Sequence, residues 1–158
     1  MKKFNVAIAG ATGAVGEVLI SILEERDFPV AQLFPLASER SAGSTVMFKN
    51  KPVKVQNLAE FDFTQAEIGL FSAGGSVSAK FAPKAGQCGC IVIDNTSHFR
   101  YQDDIPLVVP EVNPESSAGY LNHNIIANPN CSTIQMLVAL KPIHDAALRF
   151  FCNTSCTK

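Results

Sequence analysis

Apolar and polar positions alternate between two periods along this chain. Phe4–Ala9 is a short apolar run that predicts a buried strand, Ala14–Glu25 has the spacing of a helix, and Gln32–Ala37 predicts a second strand. Further strands are predicted at Val53–Gln56, Ile68–Phe71, Ile91–Asp94 and Ile125–Ala127, with a helix over Val77–Gln87 between two of them. Strand, helix and strand in repetition imply crossover connections, and hence an α/β fold built on a doubly wound, mainly parallel sheet.

Between these elements, Gly43–Pro52 carries turn residues and predicts a loop and hairpin. Tyr101–Ser117 holds four acidic residues and three prolines and is expected to wander over the surface. Ser132–Asp145 places Ile134, Leu137, Val138 and Leu140 at helical spacing, so a helix is expected to begin at or just after Cys131. No internal repeat or low-complexity tract interrupts the pattern.

Composition narrows the choices. At 158 residues and 47% hydrophobic content, the chain has room for one ordinary domain and one core, and a complete two-domain enzyme does not fit comfortably. A net charge of -1, with 13 basic and 14 acidic residues, offers no footprint for nucleic acid or an anionic membrane, so a small-molecule partner is expected. The apolar run near the N-terminus stops at Gly10, too short for a secretory leader or a membrane span, which predicts a cytoplasmic protein. The cysteines, Cys88, Cys90, Cys131, Cys152 and Cys156, show neither CxxC pairing nor a histidine set, so reduced thiols are expected, with no metal site and no disulfide framework.

The strongest motif is Gly10-Ala-Thr12-Gly13-Ala14-Val15-Gly16, a GxxGxxG turn placed where the first strand runs into the first helix. Small residues let backbone approach a pyrophosphate, and the helix N-terminus supplies free N–H donors and the positive end of its dipole. That context predicts a Rossmann-type nucleotide site. An NAD site would show a carboxylate at the end of the second strand for the ribose 2′-hydroxyl. Here Ser38, Arg40 and Ser41 make a cradle suited to a 2′-phosphate, because guanidinium binds phosphate and hydroxyls add neutral donors, so the expected cofactor is NADP. Glu39 does not fit that cradle, and the competing reading is a solvated polar loop. A second small-residue loop, Ser72-Ala-Gly74-Gly-Ser76, is expected to touch the cofactor through Ser72 and Gly74, against the plainer reading of a glycine turn needed only for geometry.

Cys131 follows the turn Asn128-Pro129-Asn130 and heads a helix, where the dipole favours a thiolate, the form that attacks carbonyls. A lone cysteine is more often an inert small hydrophobe, but Cys88 and Cys90 have no comparable polar turn. Position sets Cys131 apart as the candidate nucleophile.

The segments GATGAVG, LASERSAG, DNTSHFR, VVPEVN and NPNCST, in this order and spacing, resemble aspartate-semialdehyde dehydrogenases from Met1 to about Asp145. The resemblance implies Gly10, Thr12, Gly13, Ala14 and Val15 at the NADP phosphates, Arg40 and Ser41 near the 2′-phosphate, and Cys131 as the thioester-forming residue. It also implies Arg100 as the holder of the substrate phosphate, with Asn130 lining the same pocket. The implied reaction is NADP-dependent reductive dephosphorylation of L-4-aspartyl phosphate to aspartate semialdehyde, a step of lysine, threonine and methionine biosynthesis, with a homodimer as the full-length form.

On that resemblance residues 1–130 form the NADP-binding domain, 131–145 the nucleophile-bearing helix at the start of the catalytic domain, and 146–158 an atypical tail that departs from the family. The expectation is a truncated chain whose second domain, which carries the acid–base histidine in the resembled family, is largely missing. His144 lies thirteen residues beyond Cys131 on the same predicted helix, about 20 Å away, and is excluded as the partner, while His98 and His123 stay open. Alone, the chain is expected to bind nucleotide weakly and turn over poorly.

Rival readings are an N-acetyl-gamma-glutamyl-phosphate reductase, which shares the cysteine and the acyl-phosphate chemistry, and a non-catalytic nucleotide-binding module. A short-chain dehydrogenase is excluded: it needs a lysine four positions after its tyrosine, and Tyr101 and Tyr120 are followed at that offset by Ile105 and Asn124.

Overall fold

A computed structural model of the chain describes residues 2–155, with side chains as far as residue 147. In chain order the elements begin β1 (Phe4–Ala9), α1 (Ala14–Glu25), β2 (Val30–Ala37), β3 (Thr45–Phe48), β4 (Lys51–Lys54) and β5 (Gln56–Asn57). They continue with β6 (Ile68–Phe71), α2 (Gly75–Gln87), β7 (Ile91–Asp94), β8 (Ile125–Ala127) and α3 (Cys131–Ser155). Six strands pair in the order β5-β2-β1-β6-β7-β8, and every pairing in this sheet is parallel. The expected doubly wound fold is the observed one.

β1 alternates small and branched residues, and each set buries against a different layer. Ala7 and Ala9 face a core containing Phe34, Phe63, Phe71, Ala82 and Ala85, the last two from α2. Val6 and Ile8 face Ile20 and Leu23 of α1, together with Leu33 and Phe48. From β1 the chain winds outward to β2 and later returns to β6 on the other side of β1, so the carboxyl ends of β1 and β6 flank the switch point where doubly wound sheets bind ligands.

Three expectations need correction. The single strand expected at Val53–Gln56 straddles two: β4 closes an antiparallel hairpin with β3, and β5 joins the main sheet beside β2. Val55 between them is buried, with its N–H on the Ser44 carbonyl and its own carbonyl accepting from Gly43, so the chain changes sheets at that residue. The predicted hairpin is present, turned by Lys49 and Asn50 at φ 49° and 59°, the left-handed pair of a two-residue type I′ connection.

Tyr101–Ser117 does not stay on the surface. Ile105, Val108 and Val109 are buried, Leu107 bridges Ala127 in parallel, and the segment exchanges backbone hydrogen bonds with β8 before Pro114–Asn122 forms a 3-10 helix. Its prolines and acids conceal a short edge-strand mimic with its apolar side turned inward. Lastly, α3 starts at Cys131 as expected but runs through Pro142 to Ser155, past the predicted end at Asp145. The tail side chains from residue 148 onward, including Cys152 and Cys156, lie outside the described residues.

Cys90 is fully buried just before β7, and burial pushes its thiol up to about 12, with a smaller contribution from Cys88. Folding therefore favours the protonated thiol. The unfolded chain releases this proton near pH 9 and the folded chain does not, so stability falls from there towards pH 12. Urea midpoints measured across that range should fall for the native chain and fall less for Cys90→Ala.

Candidate functional site

Five loops leave the carboxyl ends of β1, β2, β6, β7 and β8, and each carries residues singled out by the sequence. The first loop begins with Gly10 at φ +89°, a conformation that L side chains rarely adopt. A Cβ at Gly10 would lie 2.9 Å from the Ser72 carbonyl oxygen, so the loops after β1 and β6 touch through bare backbone. The N–H groups of Gly10 and Ala11 both donate to the Leu36 carbonyl, at 2.9 and 3.1 Å, and anchor the turn to β2. Gly13 is the N-cap of α1 and no side chain caps this end, leaving the first-turn amides free to meet an anion.

A cleft of about 530 Å³ opens over this turn. Gly10, Thr12, Gly13, Ser38, Arg40, Ser41 and Ser72 all line it, together with Glu39. Ala14 and Val15 do not line the cleft but form the exposed first turn of α1 beside it, and Gly74 is the exposed N-cap of α2 at φ +97°. Sequence reasoning missed Asn57, Leu58 and Ala59, brought in by the pairing of β5 with β2, and also Lys80 and Phe81 on α2. Only a helical phase for α2 tied to the sheet order would have pointed to the last two. The Lys80 ammonium sits 5.0 Å from the Phe81 ring centroid, and among the described residues neither Lys80 nor Arg40 forms an ion pair. Two uncommitted cations, hydroxyls and a bare glycine cradle fit a phosphorylated dinucleotide such as NADP, and Glu39 shares that cleft without cancelling both charges.

The loops after β7 and β8 meet at the same edge. Asp94, ending β7, is fully buried and accepts from Ser78 Oγ and Thr96 Oγ1, both at 2.6 Å, which ties the start of its loop to α2. Arg100 is half-buried, with Nε donating to the Asn128 carbonyl and Nη2 to the Asn95 carbonyl, each at 3.0 Å. Among the described residues Nη1 has no partner, which leaves it for an external anion. Asn130 caps α3: its Oδ1 accepts from Ser132 N–H at 2.9 Å, and its carbonyl accepts from Ile134 N–H at the same distance. Among the described residues its Nδ2 has no partner.

Cys131 is the first residue of α3 and is exposed, with Sγ 4.0 Å from Asn130 Oδ1. Cys88 is also exposed but follows the end of α2 and precedes the amino end of β7, opposite the carboxyl edge, and Cys90 is buried. Of the histidines left open, His123 is bound through Nε2 to Asp104 at 2.7 Å, and His98 packs edge-on against Phe99. Among the described residues no hydrogen bond joins a histidine to Cys131, and no group of side chains could hold a metal ion. No helix of the described chain is long and apolar enough to cross a membrane.

A doubly wound parallel sheet with a glycine cradle at its switch point has the form of a dinucleotide-binding domain. The family described as semialdehyde dehydrogenase, NAD binding domain, matches residues 5–120, and the chain belongs to it. It is 68% identical over 145 residues to aspartate-semialdehyde dehydrogenase 2 of Vibrio cholerae, covering 92% of this chain and 43% of that protein. The fold superposes on the crystal structure of the Vibrio cholerae aspartate semialdehyde dehydrogenase II complexed with ASA at a TM-score of 0.90, covering 92% of this chain and 47% of that one. The aspartate semialdehyde dehydrogenase with NADP from Candida albicans matches at 25% identity and a TM-score of 0.75, covering 92% of this chain and 48% of that one. The chain thus spans less than half the length of these relatives, in a family that binds NAD(P).

Proposed function

We propose that the chain supplies the cofactor cleft and the thiol nucleophile for NADP-dependent reductive dephosphorylation of L-4-aspartyl phosphate. In this reading residues 1–130 hold the cofactor, and residues 131–145 carry the nucleophile into the catalytic part. The observation that carries it is the convergence at one sheet edge of an uncapped glycine turn, an anchored arginine with one free guanidinium nitrogen, and an exposed cysteine heading a helix.

The Cys131 sulfur attacks the acyl carbon, a C–S bond forms, the C–O bond to phosphate breaks, and phosphate leaves against Arg100. Asn130 Nδ2 orients the substrate without adding charge. Gly10, Thr12 and Gly13, with the amides of Ala14 and Val15, receive the cofactor pyrophosphate, and Ser38, Arg40 and Ser41 receive its 2′-phosphate. Ser72, at the mouth of the same cleft, and Gly74, through backbone at the start of α2, border the cofactor. Bound NADPH supplies the hydride that reduces the thioester to the aldehyde and frees the thiol. Collapse to the aldehyde needs a proton, and His144, far along α3, does not supply it, so turnover by these residues alone is slow.

Nucleotide titration tests the cofactor half. NADPH should bind at least about tenfold more tightly than NADH, and Arg40→Met should remove most of that difference while leaving NADH unchanged. Equal affinities in the native chain would overturn the assignment of NADP.

A further inference from the structure

The loops that bring Arg100 and Cys131 to the sheet edge come from different strands, yet they are closed into one ring of hydrogen bonds. Arg100 donates from Nε to the Asn128 carbonyl and from Nη2 to the Asn95 carbonyl, both at 3.0 Å, so the guanidinium bridges the loop after β7 and the loop after β8. The Asn128 side chain closes the ring, with Nδ2 donating to Asn95 Oδ1 at 2.8 Å. Backbone fixes both ends of that link: Asn128 N–H donates to the Asp94 carbonyl at 2.8 Å, and Asn95 N–H to the Phe71 carbonyl at 2.9 Å. Pro129, buried, and Asn130 are all that separate Asn128 from Cys131.

We propose that Asn128 is a positioning residue that keeps the free face of Arg100 in register with Cys131, so that the acyl-phosphate group meets both at once. The inference rests on the reading of Arg100 as the phosphate holder. An isolated arginine side chain samples many rotamers, and ordering one costs free energy at the moment of binding. Here two carbonyls from two loops hold the guanidinium in advance, and they hold it in one place only while the loops keep their separation. The Asn128–Asn95 amide pair is the one side-chain link across that gap among the described residues, apart from Arg100 itself. Removing it leaves Asn95 Oδ1 without its donor and frees the Asn128 carbonyl to move away from Nε.

Inorganic phosphate serves as the test ligand, read through protection of Cys131 from alkylation by iodoacetamide in the full chain. The native chain should be protected at a definable half-saturating phosphate concentration. Asn128→Ala should need about tenfold more phosphate, while its NADPH dissociation constant stays within about twofold of the native value. Asn95→Ala, which removes the other half of the amide pair, should shift phosphate protection in the same direction and serves if Asn128→Ala does not fold.

Arg100→Met is the control that separates this inference from the reading beneath it. If Arg100→Met abolishes protection but both asparagine variants protect as the native chain does, Arg100 needs no positioning and the role of Asn128 is refuted. If phosphate never protects the native chain, or protects Arg100→Met equally, Arg100 is not a phosphate holder and both ideas fall. If phosphate and NADPH affinities fall together in both asparagine variants, the pair is a general structural link rather than a positioning one.

Discussion

Gly16→Ala is expected to lower NADPH affinity by roughly 100-fold or more and to destabilise the chain by about 3 kcal/mol. A Cβ at Gly16 would stand 2.2 Å from the Gly10 carbonyl oxygen and 2.7 Å from Ala11 Cα, contacts with backbone that no rotamer change relieves. Ala11 is fully buried and Gly10 lies against Ser72 backbone, so the turn cannot retreat. α1 must move instead, carrying its first-turn amides out of reach of a pyrophosphate. Gly13→Ala is the control: its Cβ would meet the Gly10 carbonyl oxygen at 3.4 Å, and its φ of -91° suits any L residue. That variant should retain most of its stability. Calorimetric titration and urea unfolding of the two variants check both numbers, and native-like binding by Gly16→Ala would contradict the role given to this turn.

The second large effect falls on Cys131. Cys131→Ala should abolish single-turnover release of phosphate from aspartyl phosphate, a loss of roughly 10³-fold or more, because among the described cysteines Cys131 alone is both exposed and at the head of a helix. Cys88→Ala should leave the burst at one equivalent per chain. Cys88 is exposed as Cys131 is, but it lies at the far end of α2, away from Arg100 and the glycine turn. A burst that survives Cys131→Ala would move the chemistry to another residue.

The sheet was legible because its strands are short and largely buried, so that mostly apolar runs such as Phe4–Ala9 and Ile91–Asp94 stand out at the observed boundaries. The glycine turn was legible for a similar reason, since a close backbone approach admits no other residue at Gly10 or Gly16. What escaped depends on pairing between distant segments. Val55 reads as the middle of a strand, and only its hydrogen bonds to Gly43 and Ser44 show that the chain changes sheets there. Ile105, Val108 and Val109 were hidden among prolines and acids because the segment extends β8 with a few bonds rather than a full ladder. Lys80 and Phe81 enter the cleft through the orientation of α2, and the Arg100–Asn128–Asn95 ring joins residues 28 and 33 positions apart. No local pattern encodes either.

The central claim is that Cys131 is an acyl-forming nucleophile beside a nucleotide cleft, and mass spectrometry of the acylated chain tests it most directly. After brief exposure to aspartyl phosphate without nucleotide and an acid quench, one aspartyl group should be found on the peptide carrying Cys131 and be released by hydroxylamine, as a thioester is. An adduct on Cys88, or no adduct while phosphate is still released, would contradict the claim.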